Sequence, residues 1–270
     1  MEQKSCNGIY YFVQGAGPTT VVLLRGLGRW SEHWLGFEGL LVSRGLRVIT
    51  IDGRGFGKSR QTKISSKMSM IDLADDVAQI LTKESPAGAH LVGLSLGGMV
   101  AISLAAMNPQ LVRSLMIVNS SVSASGMKRL TRRALVSLIK VICRTKNSYQ
   151  ALTEAVLSAQ TTAAKKNEMA QAWSGIDGRH KIPLAQLWRQ IIIARKFNGS
   201  MEMASLRCPV TVVRCAADRF VDPSNSDFIH RQIKGSRLLS HPTAGHELAV
   251  DDPEWFADVI INFVSAPHEV

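Results

Sequence analysis

Cysteine is scarce in this 270-residue chain, and none of Cys6, Cys143, Cys208 and Cys215 belongs to a Cys-x-x-Cys pair. Four thiols in a chain of this length do not form the disulfide framework of a small secreted domain, and their spacing argues against a zinc site built on thiolates. Cys215 falls inside the apolar run Val210–Ala217 and reads as a buried, inert thiol. Long apolar runs are missing too: no stretch of about 18 or more apolar residues is free of charge, so no transmembrane helix is expected. Met1–Cys6 is followed by no apolar segment of the kind a signal peptide uses, so a cytoplasmic location is the expectation. The phosphate-cradling runs G-x-x-x-x-G-K-[ST] and G-x-G-x-x-G at a helix start are also absent, which removes a nucleotide reading of the glycine-rich loop Asp52–Ser59.

What is present is the material of a folded α/β domain: 46% hydrophobic residues and 20% charged ones. Short β-rich runs, Thr20–Leu24, Arg47–Ile51, His90–Leu94 and Leu115–Asn119, alternate with helix-like patterns at Ser31–Ser43, Ile71–Thr82 and Gly97–Met107. That alternation predicts a mostly parallel central sheet flanked by helices, with Gly8–Val13 as an edge hairpin strand. From about Ala124 to Met203 the pattern is helical throughout. The rhythm then resumes, with Val210–Cys215 and Arg237–Ser240 as strands and Asn225–Ile233 and Pro253–Val264 as helices. The expected organisation is a core of residues 1–123 and 204–270 carrying a helical cap, or lid, at 124–203, and Gln61–Ser69 reads as an exposed loop.

Chemistry concentrates at Gly93-Leu94-Ser95-Leu96-Gly97, between a strand-like and a helix-like run. A serine on so sharp a turn adopts a strained backbone, glycines two residues away on both sides make room for it, and the helix N-terminus behind it favours developing negative charge. Serine needs a base to accept its proton. His246, in the small-residue loop Thr243–Glu247 after the last strand, is the best placed of the seven histidines. Asp218, at the end of the run Val210–Ala217, is the acid expected to orient it. Asp222 competes, but Asp222-Pro223 reads as a helix N-cap.

These motifs together resemble the α/β-hydrolase superfamily over residues 8–123 and 204–265. Arg25-Gly26-Leu27-Gly28 is similar to the family's His-Gly-x-Gly turn, and Asp52–Ser59 matches its D-x-R-G-x-G-x-S loop. The nucleophile turn, Asp218 and His246 follow in the family's order. The resemblance implies the α/β-hydrolase fold and a serine esterase, similar to carboxylesterases and to pimeloyl-carrier methyl ester esterases, that cleaves a carboxylic ester or thioester through an acyl-enzyme on Ser95. Such a mechanism implies no metal and no organic cofactor. The backbone N–H groups of Leu27 and Leu96 would form the oxyanion hole. The family histidine is replaced by Arg25, either a structural substitution or a substrate contact. C–C bond hydrolysis, lactone opening and acyl transfer remain open on this fold, as does a ligand-binding member without catalysis.

The formal charge of +11 is unevenly distributed. Residues 128–200 hold fourteen Lys or Arg against three acids, while the remainder holds eighteen of each sign. The first cap helix reads as amphipathic, with Arg129, Arg132, Arg133, Lys140 and Arg144 mostly on one face and Leu130, Ala134, Leu135, Leu138, Ile139 and Ile142 on the others. Two readings stand: a solvated face, or recognition of an acidic partner such as an acyl carrier protein, an anionic surface or an anionic small substrate. No nucleic-acid motif accompanies the charge, and none is expected as partner. Trp173 and Trp188 are candidates to line a pocket for a hydrophobic acyl or alkyl group.

Overall fold

Eight strands form one sheet in the order β1-β2-β4-β3-β5-β6-β7-β8. They are β1 (Glu2–Cys6), β2 (Ile9–Gln14), β3 (Thr20–Leu24), β4 (Arg47–Ile51), β5 (Ala89–Leu94), β6 (Val112–Val118), β7 (Val210–Cys215) and β8 (Arg237–His241). β1 and β2 pair antiparallel, as do β2 and β4, and every later pairing is parallel. The computed structural model describes residues 1–125, 129–143, 145–180 and 183–265. Lys128, Arg144 and Lys181 of the basic segment lie outside these.

The expected strands are present within a few residues, but β2, expected at the edge, pairs on both sides, because β1 is an additional strand beyond it. Its sequence Glu-Gln-Lys-Ser-Cys carries no apolar alternation, because it is an edge strand with mostly solvated side chains. The central strands are buried on both faces, as parallel strands between helical layers must be. Successive side chains alternate between two cores. Val22, Leu24, Leu91, Leu115, Ile117 and Val212 join one, packed with α2 (Met70–Glu84) and α3 (Leu96–Met107). Val21, Leu23, Val92, Leu94, Met116 and Val213 join the other, with α1 (Phe37–Ser43) and α11 (Pro253–Ser265). The helix expected over 31–43 is broken: a 3-10 turn at Ser31–Trp34 precedes α1, with Leu35 and Gly36 left-handed between them.

Among the described residues, five α-helices connect β6 to β7: α4 (Arg132–Ile142), α5 (Ser148–Val156), α6 (Ala163–His180), α7 (Leu184–Lys196) and α8 (Ser200–Ser205). α9 (Ser224–Gln232) follows β7, and the short α10 (Leu248–Asp251) precedes α11. The loop at 61–69 is mostly exposed, as expected, but is anchored at one residue. Ile64 is fully buried, its N–H donates to Gln186 Oε1 at 2.6 Å, and its carbonyl accepts from Arg189 of α7.

From β3 the chain first crosses to β4 on one side, then returns through α2 to β5 on the other. β3 and β5 therefore flank the point where the winding reverses, and the crevice beyond their carboxyl ends is where open α/β sheets place ligands. Arg25–Gly28 leaves β3 there, and Ser95 leaves β5 there.

Candidate active site

Ser95 is the N-cap of α3 and sits at φ 58°, ψ −117°, a backbone region L-residues rarely occupy. The surroundings hold it there. Its N–H donates to Val118 O at 2.9 Å, and its carbonyl accepts from Ser120 Oγ at 2.7 Å and from Gly98 N–H at 2.9 Å. Glycine is required two residues on: a Cβ at Gly97 would lie 2.2 Å from Leu24 O. The β3 turn also lies beside the serine, since a Cβ at Gly26 would come within 3.2 Å of Ser95 Cβ.

The neighbouring amides around this turn are committed elsewhere. Gly28 N–H donates to Gln190 Oε1 at 2.9 Å and Arg29 N–H to Gly26 O at 3.2 Å. The Leu27 and Leu96 N–H groups have no such partner among the described residues, which leaves them available to an oxyanion.

His246 Nδ1 lies 2.7 Å from Asp218 Oδ2. The other Asp218 oxygen accepts from Phe220 N–H at 2.7 Å and Val221 N–H at 2.9 Å, so the carboxylate is anchored by the turn after β7. With Nδ1–H donated to Asp218, the remaining imidazole nitrogen is the proton acceptor. Burial pulls the His246 pKa down, but the Asp218 charge and hydrogen bond, with the Glu247 charge, outweigh it and hold the pKa above its ordinary value. Phe220 packs against the ring at 4.9 Å.

Ser95, His246, Leu27 and Glu247 line one cavity of about 50 Å³. Its other walls are apolar, with Leu138 and Val141 from α4, Leu152 and Val156 from α5, and Leu187 from α7, joined by Arg29 and Asp177. A larger cleft, about 890 Å³, lies elsewhere, along α1, α6 and the loops around α10, and contains none of the candidate triad. Size is a poor guide here; the convergence of titratable groups marks the smaller cavity.

Several candidate contacts stand apart from this cavity. Arg25 does not face it: the side chain is buried, its Nη2 donates to Glu247 Oε1 at 3.0 Å, and its guanidinium lies 4.6 Å from the Trp34 ring. A buried cation goes to the nearest anion, and Glu247 supplies it. Trp173 is sealed in the core with Arg29 over its ring at 4.5 Å, and Trp188 points outward, 58% exposed. Neither lines the Ser95 cavity. Arg129 is not part of an exposed patch. Its guanidinium turns inward, donating to Ser121 Oγ at 3.0 Å and Ala194 O at 2.8 Å. Arg132 and Arg133 are exposed on α4. Of the apolar residues on α4, Ala134, Leu138 and Ile142 pack against the core, but not all do. Leu135 and Ile139 face solvent, while Ala134, Ser137 and Val141 face inward.

Some supporting residues escaped sequence reasoning. Asn119 directly follows β6. Its amide donates to Gly245 O at 3.3 Å and His246 O at 3.0 Å, and its carbonyl accepts from Cys215 N–H at 2.9 Å, bracing the histidine loop against β7. Asp251 accepts from Gly245 N–H at 2.7 Å, Ser158 N–H and Thr161 Oγ1, tying that loop to the segment after α5. Buried His33, held near pKa 4 mainly by desolvation, faces Asp177 at 3.3 Å. A histidine flanked by tryptophans, and an arginine where the family has histidine, were the available signals; Gln190, Asn119 and Asp251 gave none.

The sequence profile described as "alpha/beta hydrolase fold" matches residues 19–138. A protein named "Putative carbamate hydrolase RutD" from Caulobacter sp. (strain K31) is 28% identical, covering 98% of both chains. Among solved structures, the esterase RhEst1 from Rhodococcus sp. ECU1013 superposes with a TM-score of 0.79 at 22% identity, covering 98% of both chains. The enol-lactonase from Burkholderia xenovorans LB400 does so with 0.78 at 20%, covering 98% of this chain and all of that one. With the sheet order, the reversal between β3 and β5 and the strained turn at its mouth, these likenesses show that the chain has the α/β-hydrolase fold.

Proposed function

We propose that this hydrolase is a serine hydrolase that opens an acyl bond, a carboxylic ester first, through a covalent intermediate on Ser95. The observation that carries this reading is the anchored Asp218–His246 pair sharing one cavity with a serine held in a strained turn. In the first step Ser95 Oγ adds to the carbonyl carbon while its proton passes to His246 Nε2. The N–H groups of Leu27 and Leu96 stabilise the oxyanion. Collapse of the adduct breaks the bond to the leaving alkoxide, which takes the proton from His246. Water then adds to the acyl carbon with its proton going to His246, and a second collapse releases the acid and returns the proton to Ser95. Asp218 keeps the ring oriented and stabilises its charged form.

The segment 124–203 acts in this reading as a cap, since Leu138, Val141, Leu152, Val156 and Leu187 roof the serine. Its lining suits an apolar acyl group. The cavity of about 50 Å³ lies between the nucleophile turn and α4, α5 and α7. A carbamate is the second reading, favoured by the name of the Caulobacter relative and reached by the same addition at a carbonyl carbon. Purified protein is to be assayed on p-nitrophenyl esters of rising chain length and on a small carbamate, beside Ser95→Ala. Faster turnover of esters, lost in the variant, is expected. Turnover confined to the carbamate would select the second reading, and turnover that survives in Ser95→Ala would overturn both.

A further inference from the structure

The basic excess of the helical segment has an apolar companion that the sequence pattern concealed. On α4, Leu135, Val136 and Ile139 are 49%, 53% and 59% exposed. On α7, Leu184, Trp188 and Ile192 follow at four-residue spacing, 39%, 58% and 37% exposed. Exposed cations accompany them: Arg132, Arg133 and Lys140 on α4, and Arg195 and Lys196 on α7. None of the five has an acidic partner among the described residues, and neither helix contains an Asp or Glu. At about 100° per residue, Leu135, Ile139, Arg132, Val136, Lys140 and Arg133 occupy a single arc of roughly 160°. The opposite sides of the same helices, through Leu138, Val141 and Leu187, close the Ser95 cavity.

We propose that the outer face of α4 and α7 docks on an anionic lipid bilayer. Large apolar side chains interleaved with cations, a tryptophan among them, are what an interfacial surface needs: the apolar groups enter the headgroup–acyl boundary and the cations meet the lipid charge. No helix among the described residues is long and apolar enough to cross a membrane, so the contact lies on the surface. A second copy of the chain fits the face poorly. A two-fold contact would set Arg132, Arg133 and Lys140 against their own counterparts with no acid on either helix. Among acidic occupants, a bilayer is the one that also covers six apolar side chains spread over two helices. Docking there sets the surface against two of the helices that roof Ser95.

The test is co-sedimentation of the full chain with large unilamellar vesicles, and it reads binding rather than turnover, so it stands apart from the hydrolase reading. Vesicles of phosphatidylcholine mixed with phosphatidylserine should carry the protein down, pure phosphatidylcholine should not, and salt should weaken the binding. Arg132→Ala with Arg133→Ala should lower the partition coefficient about fivefold per cation removed, and Trp188→Ala about tenfold. Lys234→Ala with Arg237→Ala, also exposed but before and at the start of β8, should leave it unchanged, as should Ser95→Ala. All these positions except Ser95 are exposed, and far-ultraviolet circular dichroism checks that each variant is folded. The proposal is overturned by a failure to sediment with anionic vesicles, or by an equal loss from the Lys234/Arg237 pair. It is overturned equally if the α4 and α7 substitutions relieve a self-association, or abolish binding to an acyl carrier protein, while no vesicle binding is seen.

Discussion

Replacing Arg25 by Met is expected to destabilise the protein and to shift the pH dependence of its turnover upward. The Arg25 and Glu247 side chains are 2% and 5% exposed and share one hydrogen bond of 3.0 Å. Arg25 Nε and Nη1 and Glu247 Oε2 have no hydrogen-bond partner among the described residues. Removing the cation strands a buried carboxylate, at a cost of about 3–5 kcal/mol, because the lost attraction no longer offsets desolvation. In a domain of this size that lowers Tm by roughly 10 °C. Removing both charges, Arg25→Met with Glu247→Leu, should recover most of the loss and leave the double variant within about 1–2 kcal/mol of the parent. The same pair acts on His246. The Glu247 charge raises the imidazole pKa and the Arg25 charge lowers it. Arg25→Met therefore raises it further, Glu247→Gln lowers it, and the acid limb of kcat/KM, which requires neutral His246, follows in each case. Urea melts and pH–rate profiles on a neutral p-nitrophenyl ester read both effects. An Arg25→Met protein of unchanged stability that loses activity only on anionic esters would refute this and return Arg25 to the substrate.

Three further outcomes follow from the geometry. His33 is held near pKa 4 against 6.5 in the unfolded chain, so the unfolded state binds its proton first and stability falls as pH drops from about 6.5 towards 4. Between pH 7 and 4.5 the parent should lose about 2 kcal/mol more than His33→Asn; equal slopes in urea melts would contradict the assignment. Gly97→Ala forces its Cβ to 2.2 Å from Leu24 O, so it should cost several kcal/mol or abolish the fold, and a soluble, active Gly97→Ala would show that the nucleophile turn is built differently. Asp218→Asn should keep the fold but lower kcat by roughly 10³–10⁴-fold through the wrong imidazole tautomer; a loss below tenfold would point to another acid.

The central strands were legible because each is a short apolar run buried on both faces, and the order of Ser95, Asp218 and His246 along the chain was legible because the turns after β5, β7 and β8 follow that order. β1 was not, since an edge strand facing solvent has no apolar alternation to read. Periodicity on α4 separated the basic face from most of the packed side but did not single out Leu135 and Ile139 as exposed. Leu135 and Ile139 look like core residues by type, yet the small Ala134 and Ser137 take the packed side. Arg25 and Arg129 share one reason for misplacement: the partners that draw them inward, Glu247 and Ala194 O, are 222 and 65 residues away. Trp173 and Trp188 sit on neighbouring helices of one segment, and only packing distinguishes a sealed ring from an exposed one. Contacts of that range are set by tertiary structure, which is also why Asn119, Gln190 and Asp251 carried no local signature.

The most direct measurement of the central claim is covalent labelling with a fluorophosphonate, followed by mapping of the modified peptide. The account requires one adduct, on Ser95, formed faster as pH rises through the elevated His246 pKa, and none in folded Ser95→Ala. Labelling that persists in Ser95→Ala, or a folded parent that remains unlabelled, would contradict it.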